Sequence, residues 1–364
     1  MFKIKKQLSK LYTSSVLGTL SLTGAWVAIL SARGYSLIEI GIVETVFHMT
    51  SLIFEIPSGV FADVFGRKKM LIVSTMMKMT GNMIMIFSNN LFMVCLSIAF
   101  TALSYNFASG SDEALAYDSL KLAQKESEFE KYESNKLIIY RLCSGISTLC
   151  AGFAITIGHR IAYSTDLITG AIQILVLLSL QEIYAENGLR DRENKIGRRL
   201  IVCFRESLVF LKDARRAMGL MFCNSFVGAV DILLLFFLQA KLPGKGLSAG
   251  WLGLALLFME MGGIVGSRLI LKLPKVRFRG IFAMTTLLVL TGFLAEHSAL
   301  YQIMILGGFL AAVGDDALQV RTDALLQDMF PSKQRATLTS VQSFSFSVIM
   351  IVLSPLAGFV FTYW

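Results

Sequence analysis

Five residues between positions 44 and 59, Glu44, His48, Ser51, Glu55 and Gly59, follow one another at steps of four, three, four and four. In a helix that spacing lines them up on one face. An imidazole set between two carboxylates can take up protons and hand them on, because histidine changes charge near neutral pH. Glu44, His48 and Glu55 are therefore candidate proton-coupling residues, and the adjacent acids Asp112 and Glu113 join them. The stripe has a plainer reading as a hydrogen-bonded seam between helices. Asp112 and Glu113 have one as partners in an interfacial salt bridge.

Other polar side chains stand inside long apolar stretches, where an ionisable group costs about 2.5–3.5 kcal/mol at mid-bilayer and normally faces a cavity or a partner. Asp231 and Asn224 lie one heptad apart, and Glu260 sits in the middle of the next apolar run. Trp26, with Thr19 and Thr23, forms an amphipathic face, and Asn106 lies on the polar side of its segment. Asp315 and Asp316, close to Arg321 and Asp323, belong either to a gate or to the binding set. Trp26, Asn106, Asn224, Asp231, Glu260, Asp315 and Asp316 are the candidate substrate-binding residues. Acids and aromatics around an apolar cavity suit hydrophobic ligands, cationic ones included. Lys78 either neutralises one of these acids or turns its stem away to carry its charge elsewhere.

The elements that must position these groups follow from composition. The 364 residues are 55% hydrophobic and 16% charged with a mean hydropathy of +0.65, more apolar surface than a soluble globule can bury. Eleven runs reach the roughly 20 residues needed to cross a bilayer as a helix: 11–32, 41–62, 70–88, 91–117, 137–158, 162–183, 217–240, 250–271, 279–296, 299–320 and 337–362. They are too long for barrel strands, so the expected class is an all-α membrane protein. With the N-terminus in the cytoplasm, twenty-eight of the 34 Lys and Arg fall in inner segments and four, Arg33, Arg160, Lys241 and Lys245, in outer loops. The net charge of +9 is thus a topology signal, and no nucleic-acid partner is expected. The first run continues past Trp26 without a cleavage site and reads as an uncleaved helix. Cys95, Cys143, Cys150, Cys203 and Cys223 form no CxxC pair and have no metal-ligand spacing, so neither disulfide nor metal is expected.

The long polar interval 184–216 follows six helices and reads as a cytoplasmic linker, its stretch "RLIVCFRESLVFLKDA" spaced to lie on a membrane surface. "GSDEALAYDSL" from residue 110 is echoed by "GDDALQVRTDAL" from 314, and "CAGF" from 150 by "LAGF" from 356, a repeat at an offset of about 205 residues. Two related bundles, 1–183 and 217–364, are expected. The counterpart of the sixth helix is expected beyond Trp364, which leaves eleven.

"GVFADVFGRKK", residues 59–69, resembles the signature loop between the second and third helices of the major facilitator superfamily. It carries Gly59, Asp63, Gly66, Arg67, Lys68 and Lys69, with Val64 where the family usually has a cation. The resemblance implies a fold of two pseudo-symmetric six-helix bundles and a gate at this loop, with Asp118 and Arg141, and in the second half Arg321 and Asp323, as further gate residues. Asp118 is expected to pair with Arg141 or with the loop cations. The family's exporter signatures read here as "NFASG", with Asn106 in place of arginine, and "SGISTLCAGF", which lacks the proline.

No G-x-S-x-G, Walker loop or H-E-x-x-H occurs in the sequence, so no enzyme and no cofactor are expected. The expected function is proton-coupled efflux of a small hydrophobic molecule, as an antiporter, by a monomer spanning the cell membrane many times. Two alternatives are a proton-coupled uptake permease for a metabolite and a membrane sensor that binds without transporting.

Overall fold

The computed structural model describes residues 3–183, 215–273, 276–329 and 335–363; the side chains at 56, 60, 63, 130, 327, 328 and 335–340 lie outside the description. The expected linker, as far as residue 214, and its surface-lying stretch fall outside the described residues. Fourteen α-helices make up the rest: α1 Ile4–Thr19, α2 Trp26–Ala32, α3 Leu37–Phe65, α4 Arg67–Phe87, α5 Leu91–Ala108, α6 Ser111–Leu122, α7 Phe129–Leu149, α8 Ala151–Ile157, α9 His159–Leu178, α10 Arg215–Gly244, α11 Ala249–Leu271, α12 Phe278–Ala295, α13 Tyr301–Met329 and α14 Arg335–Tyr363. Among the described residues nine spans are long and apolar enough to cross a membrane, with α5 and α6 taken together. Large apolar side chains such as Phe92, Leu175 and Leu287 are exposed on them, a surface that hydrocarbon can solvate and water cannot.

Three of the eleven expected runs are not single helices. The first is interrupted between α1 and α2, where the Ser21 Oγ accepts from the Thr23 amide at 3.0 Å and Leu20 leaves the helical region. A serine that satisfies the backbone locally offers the chain an alternative to the helix. The helical face expected to join Thr19 and Thr23 to Trp26 is therefore absent, because Trp26 begins a new helix. The fourth run turns at Gly110, whose φ of +72° suits glycine. The fifth is bent by 48° between α7 and α8.

Two compact units are formed. One comprises Met1–Gly24, Met49–Ser147 and Ile157–Glu206. Its core holds Leu11, Leu71, Leu115, Tyr132 and Leu177, all buried. At the α4–α5 contact a Cβ on Gly81 would stand 2.8 Å from the Ser97 carbonyl oxygen, and the Ser97 hydroxyl donates to the Gly81 carbonyl at 2.7 Å. Small and hydroxyl residues serve this purpose between helices in lipid, where apolar packing gives no advantage over the tails.

The second unit comprises Ala25–His48, Thr148–Thr156 and Ser207–Trp364. There α11 runs against α13 so closely that a Cβ on Gly262 or Gly266 would collide with the carbonyls of Phe309 and Val313. The first turns of α3 meet α14 in the same way, Gly41 against Ser354 and Gly358 against Leu37. Cys95, Cys143, Cys150 and Cys223 are free thiols; Cys203 lies outside the described residues.

Candidate functional site

The signature turn is built around Gly66. Its φ of +100° and ψ of 145° define a backbone conformation open in practice only to glycine, and it reverses the chain from α3 into α4. A Cβ there would lie 2.7 Å from Oε2 of Glu182. That carboxylate accepts from the Lys68 amide at 3.1 Å and from the Lys69 amide at 3.3 Å. It satisfies two of the four amides a helix start leaves open and sits at the positive end of the α4 dipole. Lys68 returns the contact, its Nζ donating to the carbonyls of Leu178 at 2.8 Å and Leu180 at 2.7 Å at the end of α9. Lys10 reaches the Ser179 carbonyl beside them.

Arg67 pairs with Asp118 of α6, so the loop cation is an Asp118 partner. Arg141 is exposed on α7. Gly59 is exposed with open space where a side chain would go, Lys69 is exposed, and the side chain of Asp63 lies outside the described residues. Glu182 escaped the sequence reading; an acid just after an apolar run, facing an orphaned helix start, was its only signal.

Asp112 and Glu113 stand in the first turn of α6, and Lys136 of α7 binds both, at 2.7 Å to Asp112. The Tyr132 hydroxyl donates to Asp112 at 3.2 Å, and its ring stacks on Tyr12 with centroids 5.0 Å apart.

Along α3 the polar stripe meets different neighbours at different depths. His48 and Glu44 are buried, with His48 Nε2 3.2 Å from Glu44 Oε1 and Nδ1 3.4 Å from the Ser347 hydroxyl of α14. Phe346 meets the imidazole edge to face at 5.5 Å. Further along, Asn106 of α5 donates to the Ser51 carbonyl at 2.8 Å and to Glu55 at 3.3 Å.

In the second unit, Asp231 of α10 is within electrostatic reach of Asp315 and Asp316 of α13. A Cβ on Gly228 would stand 3.0 Å from Asp315 Oδ1, and one on Gly263 would collide with Asp316. The missing side chains of α10 and α11 thus leave the room these carboxylates occupy. Asp231 and, seven residues earlier, Asn224 are both buried, and the Oδ1 atom of each lacks a hydrogen-bond partner among the described residues. Among the described residues no group of three or more His, Cys, Asp or Glu could hold a metal ion. Trp26 packs edge to face on Phe236 of α10 at 5.6 Å, and Glu260 is exposed on α11, accepting from Thr148 at 3.1 Å. Arg321 donates to the Leu273 carbonyl at 2.7 Å just past α11, and Gln342 donates to Asp323 at 3.3 Å.

The Lys78 Nζ donates to the Gly18 carbonyl at 2.7 Å, near the end of α1.

Long helices with apolar exteriors, enclosing carboxylates, an imidazole and amides, define a polytopic α-helical membrane protein of the carrier type. A family model described as Major Facilitator Superfamily matches residues 11–299, and the chain belongs to that superfamily of membrane transport proteins. It is 23% identical over 336 residues to YxaM of Bacillus subtilis (strain 168), an uncharacterized MFS-type transporter, covering 87% of this chain and 79% of that one. Among solved structures it is similar in fold to the nucleoside transporter NupG, with a TM-score of 0.77, 14% identity and coverage of 98% and 92%. The D-xylose-proton symporter gives a TM-score of 0.68 at 12% identity, with coverage of 96% and 87%.

Proposed function

We propose that the chain is a secondary active transporter that exports a small hydrophobic molecule in exchange for protons by alternating access. Two bundles, 1–183 with six helices and 217–364 with five, take turns exposing a site near mid-membrane, with the N-terminus in the cytoplasm. The observation that carries this reading is the group Asp231, Asp315 and Asp316, accompanied by buried, unpartnered oxygens on Asn224 and Asp231. Each such group is expensive in hydrocarbon, and a chain that keeps them together gains from a ligand or a proton that binds them. Asn224, Asp231, Asp315 and Asp316, with Trp26, Asn106 and Glu260, contact the solute. Glu44, His48, Glu55, Asp112 and Glu113 exchange protons. Gly59, Asp63, Gly66, Arg67, Lys68, Lys69, Asp118, Arg141, Arg321 and Asp323 gate the cytoplasmic mouth.

A second reading, proton-driven uptake, is favoured by the names of two fold neighbours, a nucleoside transporter and a D-xylose-proton symporter. Reconstituting the 364-residue chain in vesicles that carry an internal pH-sensitive dye separates the two. Lipophilic amines moving against protons, with the movement lost in Asp231→Asn, support export. Nucleosides or pentoses moving with protons support uptake. Vesicles in which neither solutes nor protons move refute both.

A further inference from the structure

The polar atoms left open in the second unit are all of one hydrogen-bonding kind. Asn224, Gly228 and Asp231 follow one another on α10 at steps of four and three, so they share a face. That face meets α13 at Gly228, where a Cβ would stand 3.0 Å from Asp315 Oδ1. Asn224 and Asp231 are 7% and 4% exposed, and Oδ1 of each lacks a hydrogen-bond partner among the described residues. An amide oxygen and an ionised carboxylate oxygen accept and cannot donate. The partner they lack is therefore a donor; a ketone, ether or ester oxygen brought to this face would leave both atoms as they are.

Charge points the same way. The charged groups that act on Asp231 are Asp315 and Asp316 of α13, both acids. Among the described residues the bases of the surrounding helices are engaged or placed elsewhere. Lys241 stands about 15 Å further along α10 and binds Glu296, while Arg215 and Arg216 lie about 22 Å or more before Asp231. Arg321 donates to the Leu273 carbonyl, and Arg268 of α11 and Arg279 of α12 are exposed. Buried carboxylates are costly unless paired, so the missing donor is a cation. A bare metal ion does not fit, since among the described residues no group of three or more His, Cys, Asp or Glu could hold one. A larger cation with its donors set apart matches the spread of these oxygens.

We propose that the solute held by Asn224, Asp231 and Asp315 is an organic amine, its ammonium N–H bonds facing the carboxylates and a second N–H or O–H donor facing Asn224. From Asn224 to Asp231 the face runs about 10 Å along α10. Hydrogen bonds of about 2.9 Å at either end leave the two donors roughly 5–10 Å apart, so a separate donor serves each oxygen. A quaternary ammonium of equal charge has no N–H and leaves both oxygens open. The assignment rests on the transport reading above and narrows its solute from hydrophobic molecules at large to amines with two donor ends.

The test is equilibrium binding to the full chain in lipid nanodiscs, by competition against radiolabelled tryptamine. That probe carries an ammonium head and, on the same apolar body, an indole N–H as the second donor. Its N,N,N-trimethyl form keeps the charge and loses the N–H bonds of the head; 1-methyltryptamine keeps the head and loses the second donor. The trimethyl form is expected to bind at least about 10-fold more weakly, the worth of a hydrogen bond to an ionised group, and the 1-methyl form about 3- to 10-fold more weakly. Asp231→Asn should close the gap between tryptamine and its trimethyl form, which a purely steric cause would leave open. Asn224→Leu should lower tryptamine to the level of 1-methyltryptamine and leave the latter unchanged. Tryptamine that fails to bind at millimolar concentration overturns the assignment, and so does a trimethyl form that binds as well, or an Asn224→Leu chain that still tells the two indoles apart. If the variants do not fold, the three ligands on the wild-type chain still decide. Binding in the expected order by a chain that moves no solute removes the transport reading alone; exchange of a solute for protons without amine binding removes this assignment alone.

Discussion

Replacing Glu182 by alanine should loosen the start of α4, and the structure says by how much. The carboxylate is the acceptor for the amides of Lys68 and Lys69. Losing such a cap costs about 0.5–2 kcal/mol, with a charge–dipole share of about 0.3–1 kcal/mol inside that range at a half-exposed position. A loss of about 1–2 kcal/mol is a roughly 5- to 30-fold rise in local opening, read as faster exchange at the Lys68 and Lys69 amides with α5 unchanged. Gly66→Ala adds a separate test. Alanine at φ +100° costs about 1–3 kcal/mol of backbone strain, and its Cβ would also meet Oε2 of Glu182 at 2.7 Å. Strain survives removal of Glu182 and the collision does not, so the double variant should cost less than the two singles together by about 0.5 kcal/mol or more. Strictly additive effects, or a silent Glu182→Ala, would refute the placement of that carboxylate over the turn.

Three further outcomes follow from the same contacts. Arg67→Asp and Asp118→Arg should each lower the detergent unfolding temperature, and the double swap should recover most of the loss, as the pair is partly buried at 22% and 13% side-chain exposure and worth about 1 kcal/mol. Gly266→Ala, whose Cβ would strike the Val313 backbone, should cost about 3 kcal/mol or more of folded stability, seen as aggregation on size exclusion, whereas Gly219→Ala, with nothing within 4 Å, should be neutral or slightly stabilising. Lys136→Met should destabilise by about 2 kcal/mol, because it strands the Asp112 and Glu113 carboxylates it binds; an unchanged unfolding temperature would separate those acids from the packing of α6.

Apolar run length made the helices legible, since hydrocarbon leaves the backbone no other way to satisfy itself. The glycine of the signature turn was legible for a related reason: a helix that must reverse within a residue or two needs a backbone conformation that side chains forbid. The breaks were not. "LSLTGA" from residue 20 is apolar enough to pass as helix, and only the pairing of Ser21 and Thr23 with Asp166, some 145 positions away, shows where the chain prefers a turn. Glu182 was hidden likewise, 114 residues from the amide it caps. A local reading sees the orphaned amides of a helix start but not the distant acid that covers them.

The stripe on α3 shows the limit from the other side. Periodicity assigned Glu44, His48, Ser51 and Glu55 to one face, and in the structure those residues do carry polar contacts. What periodicity could not supply was the partner: the imidazole, beside Glu44, meets Ser347 and Phe346 of α14, while the Ser51 carbonyl and Glu55 meet Asn106 of α5. A proton relay needs consecutive donors and acceptors within hydrogen-bond reach, so contacts made with two different neighbours divide the stripe into two polar pairs. If protons pass along α3, the step between His48 and Glu55, seven residues or about 10 Å apart along the axis, requires water, and Ser51→Ala should slow proton flux without altering solute affinity. Wild-type proton flux in that variant would leave the two pairs as separate hydrogen-bonded contacts between helices.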